Sequence, residues 1–201
     1  KRSDPMKRFF ALFAALTLLC TRISAQTTAC RTETNIAYRN AADDGYVDSL
    51  CRLDICYPVD RKGFPTVVWF HGGGLTDGRR EIPKALCDKV FAVVGVDYRL
   101  APRVKVADCV ADAAAAAAWV VKNIASYGGD PRLIFIAGHS AGGYLTSMIG
   151  LDKRWMAPYG IDPDTAFAAL IPYSGQVVTR FARRREMGIP DTQVVVDDMA
   201  P

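Results

Sequence analysis

Leu133-Ile134-Phe135-Ile136-Ala137-Gly138-His139-Ser140-Ala141-Gly142-Gly143-Tyr144-Leu145-Thr146-Ser147-Met148-Ile149 is the stretch that decides the fold. Leu133–Ala137 is a short apolar run that reads as a fully buried strand, and Tyr144–Ile149 carries on as a helix. Between them, Gly138-His139-Ser140-Ala141-Gly142 matches G-x-S-x-G. A strand that turns this tightly into a helix forces the middle serine into strained backbone geometry. The positions two away on either side, Gly138 and Gly142, must then lack side chains that would clash. The turn lifts the Ser140 hydroxyl above the sheet edge and aims the Ala141 amide at any negative charge that forms there. Five residues of this kind also arise by chance; the flanking strand and helix make the match informative.

Working outward, Thr66–Phe70 is a continuous β-branched and aromatic run, hence an interior strand. It delivers His71-Gly72-Gly73-Gly74. Three consecutive glycines are costly in chain entropy and mark backbone that must approach something closely. Alone they read as a flexible loop. Beside the serine turn they read as an oxyanion loop, with the Gly73 and Gly74 amides joining that of Ala141, and with His71 and Gly72 as support. Gln26–Asp44 is polar and reads as a lead-in loop, Val47–Tyr57 as a half-buried strand and Asp60–Gly63 as a turn. Ile82–Val90 reads as a short helix entered at Pro83, and Phe91–Val96 as another buried strand. Val106–Tyr127 is a long helix carrying six consecutive alanines, stopped by Gly128-Gly129-Asp130-Pro131. Ala166–Ile171 is a further strand. Strands alternating with helices predict an α/β protein with a mostly parallel sheet and helices on both faces. Its site belongs at the carboxyl ends of the strands, where His71 and Ser140 both fall.

The chain has 201 residues and a net charge of +4. The basic excess sits in residues 1–25 (Lys1, Arg2, Lys7, Arg8 and Arg22 against Asp4); the remainder carries as many acidic as basic residues. A nucleic-acid partner is therefore not expected. Residues 1–25 read as upstream residues and a signal peptide, with a charged start at Met6-Lys7-Arg8, an apolar run Phe9–Leu19 and a small-residue cleavage site before Gln26. The apolar run is short for a membrane span. Leu19 before Cys20 is bulkier than a lipid-anchor signal carries, which argues against anchoring there. Export to the periplasm or exterior implies an oxidising compartment. The mature chain then holds Cys30, Cys51, Cys56, Cys87 and Cys109, an odd number, so at least one thiol is left without a partner in the chain. No C-x-x-C or Cys/His cluster suggests a metal, and nothing points to a cofactor.

Taken together, His71-Gly72-Gly73-Gly74, Asp97-Tyr98-Arg99-Leu100-Ala101-Pro102, Gly128-Gly129-Asp130-Pro131 and Gly138-His139-Ser140-Ala141-Gly142-Gly143 give the chain a resemblance to the α/β-hydrolase superfamily. Within it, the chain resembles bacterial esterases related to hormone-sensitive lipase, over roughly Val47 to Tyr173. His139 stands where the nearest branch commonly has Asp. The resemblance implies an α/β-hydrolase domain over residues 26–201 and a carboxylesterase or lipase acting on a small-molecule ester through an acyl-enzyme on Ser140. An amide or peptide hydrolase of the arylformamidase or prolyl-peptidase kind uses the same parts, and a non-catalytic binding protein on this scaffold is a third reading. In the family the triad acid and histidine follow two strands beyond Ala166–Ile171. Both histidines here, His71 and His139, precede Ser140, and no strand pattern leads into Asp197 or Asp198. The expectation is an N-terminal portion of the domain, incomplete at the C-terminus, with weak or no hydrolysis and an open hydrophobic sheet edge.

Overall fold

A computed structural model describes residues 28–40, 44–178, 180–190 and 192–201; the leader read over residues 1–25, with Cys20, lies outside them. Six strands form one sheet in the order β1-β2-β4-β3-β5-β6. They are β1 (Cys30–Ala37), β2 (Arg52–Pro58), β3 (Phe64–Phe70), β4 (Ala92–Val96), β5 (Gly129–His139) and β6 (Ala169–Tyr173). β4, β3, β5 and β6 run parallel, while β1 and β2 pair antiparallel at one end. The helices are α1 (Gly45–Leu50), α2 (Val106–Tyr127), α3 (Ala141–Leu151), α4 (Pro163–Ala166) and α5 (Phe181–Glu186).

Alternation along β3 sends Phe64, Thr66, Val68 and Phe70 to one face, all buried. The two long helices pack there and touch each other. In α2, Ala113 to Ala118 are all buried, so small side chains let the helix lie close to the sheet. In α3, a methyl on Gly150 would run into Leu170 of β6, so this helix sits directly on the last strand. The opposite face is covered over β2 and β4 by the 79–90 segment: a methyl on Gly95 would be 2.9 Å from the Glu81 carbonyl carbon. Among the described residues no helix is long and apolar enough to cross a membrane.

Several elements differ from the sequence reading. The lead-in over residues 26–44 contains β1, an edge strand whose exposed and half-buried residues leave no apolar alternation to read. The first half of Val47–Tyr57 is α1, capped by Asp44, whose carboxylate accepts from the amides of Tyr46 and Val47. The strand begins only at Arg52. The helix expected over Ile82–Val90 is reduced to one tight turn at Lys84–Leu86. The long helix matches its expected bounds, ending where Gly128 takes a left-handed φ of 98°. β6 lies a few residues later than Ala166–Ile171, because Asp162 and Pro163 start a one-turn helix first. All five described cysteines are free thiols.

Candidate active site

The site assembles where β3 and β5 end side by side, with Phe70 in register with Gly138. β5 delivers the serine turn and β3 delivers the glycine loop, so two loops far apart in sequence meet at the carboxyl edge of the sheet. Ser140 has φ 54° and ψ −108°, a conformation L-residues rarely adopt. Its amide donates to the Tyr173 carbonyl of β6 at 2.9 Å, and its carbonyl accepts from the Tyr144 amide, starting α3. The glycines at either side are dictated by contact. A methyl on Gly142 would fall inside the Phe70 carbonyl, and one on Gly138 would lie 2.5 Å from the Gly142 carbonyl carbon and 2.7 Å from the Phe70 oxygen. Ala141 is the first residue of α3, so no carbonyl one turn earlier takes its amide.

The glycine loop packs on this turn. A methyl on Gly72 would be 3.6 Å from Ser140 Cβ and 3.2 Å from His139 Nδ1, which places Gly72 directly beside the serine. Gly73, at φ 103°, has its carbonyl taken by the amides of Thr76 and Asp77, each at 3.0 Å, and by the Thr76 hydroxyl at 3.2 Å. With that carbonyl turned away, the Gly73 and Gly74 amides bind no acceptor among the described residues. The predicted group of Ser140, Ala141, Gly72, Gly138 and Gly142 is thus one cluster, with Gly73 and Gly74 on the loop that touches it.

His71 lies under the loop. It is buried, its Nδ1 donates to the Gly72 carbonyl at 2.6 Å, and its ring stacks on Tyr98 with centroids 4.3 Å apart. Its Nε2 is 3.8 Å from an Asp97 oxygen and has no hydrogen-bond partner. Burial lowers its pKa below the ordinary histidine value, outweighing the Gly72 carbonyl and Asp97, so the ring is neutral at pH 7. His139 is exposed, with its ring centroid 5.5 Å from that of Tyr173. No hydrogen bond joins Ser140 Oγ to either histidine. Asp197 pairs with Arg183, and Asp198 with Arg154, so neither acid supports an imidazole.

Residues the sequence reading left without a role turn out to brace the loop. Tyr98 donates to the His71 carbonyl at 2.9 Å, and its hydroxyl pKa is raised well out of range by burial. Asp97 receives the Arg80 guanidinium at 2.5 Å, and Arg80 also reaches Asp54 at 2.9 Å. Arg99 forks onto fully buried Asp112 at 2.7 and 2.9 Å, tying the 97–99 segment to α2. The Asp97-Tyr98-Arg99 run was visible as a motif; its roles required the three-dimensional neighbours. Phe181 of α5 was not foreshadowed at all: a methyl on Gly74 would be 2.6 Å from its ring. Two cavities flank the loop. One, about 230 Å³, is lined by Thr76, Ala101, Pro102, Ala182, Arg185 and Glu186. The other, about 300 Å³ and open, includes Gly72, Gly73, Asp77 and Glu81.

Comparison with known proteins agrees with this geometry. The chain is 40% identical over 122 residues to a carboxylesterase, NlhH, of Mycobacterium tuberculosis, covering 58% of this chain and 38% of that protein. It is 36% identical over 127 residues to Lipase 2 of a Moraxella species, covering 57% and 29%. Among solved structures it resembles a hyperthermophilic esterase from the archaeon Pyrobaculum calidifontis, with a TM-score of 0.58 and 26% identity, over 98% of this chain and 62% of that one. The chain therefore spans well under half the length of these curated relatives. The BD-FAE family model matches residues 53–175, from β2 through the serine turn to the end of β6. By that match and by its sheet, this chain belongs to the BD-FAE family and has the α/β-hydrolase fold.

Proposed function

We propose that this chain carries the nucleophile and oxyanion hole of a serine carboxylesterase. The observation that carries the reading is the backbone of Ser140: a strained φ held by two glycines that cannot be larger, directly beside a loop with unpaired amides. Strain of this kind is kept where the surrounding structure needs the side chain in one place. In the proposed reaction the Ser140 oxygen adds to the acyl carbon of an ester, and its proton passes through solvent to the departing alkoxide. The oxyanion so formed takes hydrogen bonds from Ala141 and from Gly73 and Gly74, and collapse expels the alcohol to leave an acyl-enzyme. Water then releases the acid. Neutral His71 braces the loop instead of taking the serine proton: Nδ1 donates to Gly72, Nε2 is turned towards Asp97, and neither nitrogen is hydrogen-bonded to Ser140 Oγ. The charged start and apolar run of residues 6–25 support export of this hydrolase.

With neither histidine on Ser140, the 201 residues alone are expected to hydrolyse esters slowly, at a rate comparable with serine hydrolases stripped of their base. Hydrolysis of p-nitrophenyl acetate by wild type and Ser140→Ala tests this. A slow rate above buffer that disappears in the variant is expected. Equal rates for the two proteins would overturn the reading.

A further inference from the structure

Three thiols converge at the end of the sheet farthest from β6, and none of them serves the serine site. On the antiparallel pair β1 and β2, Cys56 stands opposite Thr32 and Cys30 opposite Pro58. Side chains alternate along a strand and directly opposed residues share a face, so Cys30, Thr32 and Cys56 project from the same side. That side is the one covered by the 79–90 segment. Cys30 Sγ lies 3.9 Å from the Lys89 carbonyl there, and the register sets Cys30 and Cys56 diagonally next to each other across the β1–β2 ladder on that face. Cys87 comes from the covering segment, but its Sγ is turned to the carbonyls of Pro83 at 3.5 Å and Ile82 at 3.9 Å. Cys30 is part-exposed, whereas Cys56 is only 7% exposed. One thiol of this diagonal pair is open to reagents and the other waits beneath it.

We propose that Cys30 and Cys56 are a disulfide-forming pair that fastens edge strand β1 to the sheet. The Cys30 thiolate attacks one sulfur of a small-molecule disulfide such as oxidised glutathione and expels one equivalent of its thiol. The Cys56 thiolate then attacks the Cys30 sulfur of the mixed disulfide and expels the second equivalent. The two protein thiols give up two electrons and two protons, and the small disulfide takes them up as two thiols. β1 is the element that gains. Among the described residues it pairs only with β2, half of its residues are exposed and none is fully buried, so little but the ladder holds it. A bond between Cys30 and Cys56 closes a loop of about 27 residues in the unfolded chain, a length at which a cross-link stabilises appreciably.

The test is to incubate the full chain with oxidised glutathione and to map disulfides by mass spectrometry of a non-reduced tryptic digest. The peptide carrying Cys30 is expected joined to the peptide of residues 53–61, and Cys87→Ser leaves the yield of that link unchanged. The oxidised protein is expected to melt roughly 5–10 °C above the reduced one, a gain that Cys30→Ser abolishes. Glutathione retained on Cys30 with Cys56 unmodified would overturn the proposal. So would a link between Cys56 and Cys87 in place of the expected one.

Discussion

At the scale of single residues, Ser140 is held in a conformation that disfavours every side chain it could carry. Glycine tolerates that φ freely, so Ser140→Gly should stabilise the fold by about 1 kcal/mol, or roughly 2–4 °C in Tm, while removing ester hydrolysis. A melting curve beside a p-nitrophenyl acetate assay reads both effects. Gly142→Ala acts in the other direction: its methyl meets the Phe70 carbonyl, a backbone atom in mid-sheet that cannot move aside. A loss of more than about 2 kcal/mol in denaturant unfolding is expected. His71 gives a pH signature. Its folded pKa is depressed, so it adds stability above the unfolded histidine value, about 6.5, and that stability is lost as pH falls through and below that value. Between pH 7.5 and 5.5 the Tm of wild type should therefore fall more than that of His71→Gln. The serine, its glycines and the loop glycines were legible in the sequence because only a turn and a close approach make glycine necessary there. Tyr98, Arg80 and Phe181 were not, because side chains that brace a loop from other elements leave no local pattern.

At the scale of elements, the buried fork between Arg99 and Asp112 joins the segment under the oxyanion loop to α2. Asp112 is fully buried and also receives Arg39, so Asp112→Ala leaves two guanidiniums without their carboxylate. That change should cost about 3–5 kcal/mol in urea unfolding, well above the effect of the exposed pairs such as Lys153 with Asp162. The long helix and three of the interior strands, β3, β4 and β5, were legible because each has a strong single signal: an alanine run with a glycine stop, or an unbroken apolar run. α1 was read as strand because Cys51, Leu53, Ile55 and Tyr57 form an apolar alternation that begins directly at its end. The turn at Lys84–Leu86 was read as helix because Pro83 opens a helix and a turn equally well. β1 carries no such signal, since an edge strand needs hydrogen bonds and no buried face.

At the scale of the molecule, β6 pairs only with β5 among the described residues, and Ile171 and Tyr173 on it are 47% and 64% exposed. A strand with a free ladder edge and apolar side chains templates self-association. Light scattering of the 201-residue chain should show growth with concentration, and Ile171→Lys should suppress it without changing the far-ultraviolet spectrum. The sheet order, the glycine loop and the serine turn all place the chemistry at the carboxyl ends of β3 and β5, beside the end of β6. The most direct test is to treat the folded protein with an alkyl fluorophosphonate and locate the adduct by mass spectrometry. The predicted result is slow, single-site labelling of Ser140 that is absent from Ser140→Ala and much reduced in Gly73→Ala, whose methyl would strike the Asp77 carbonyl. Folded protein in which Ser140 stays unlabelled, or label that persists in Ser140→Ala, would contradict it.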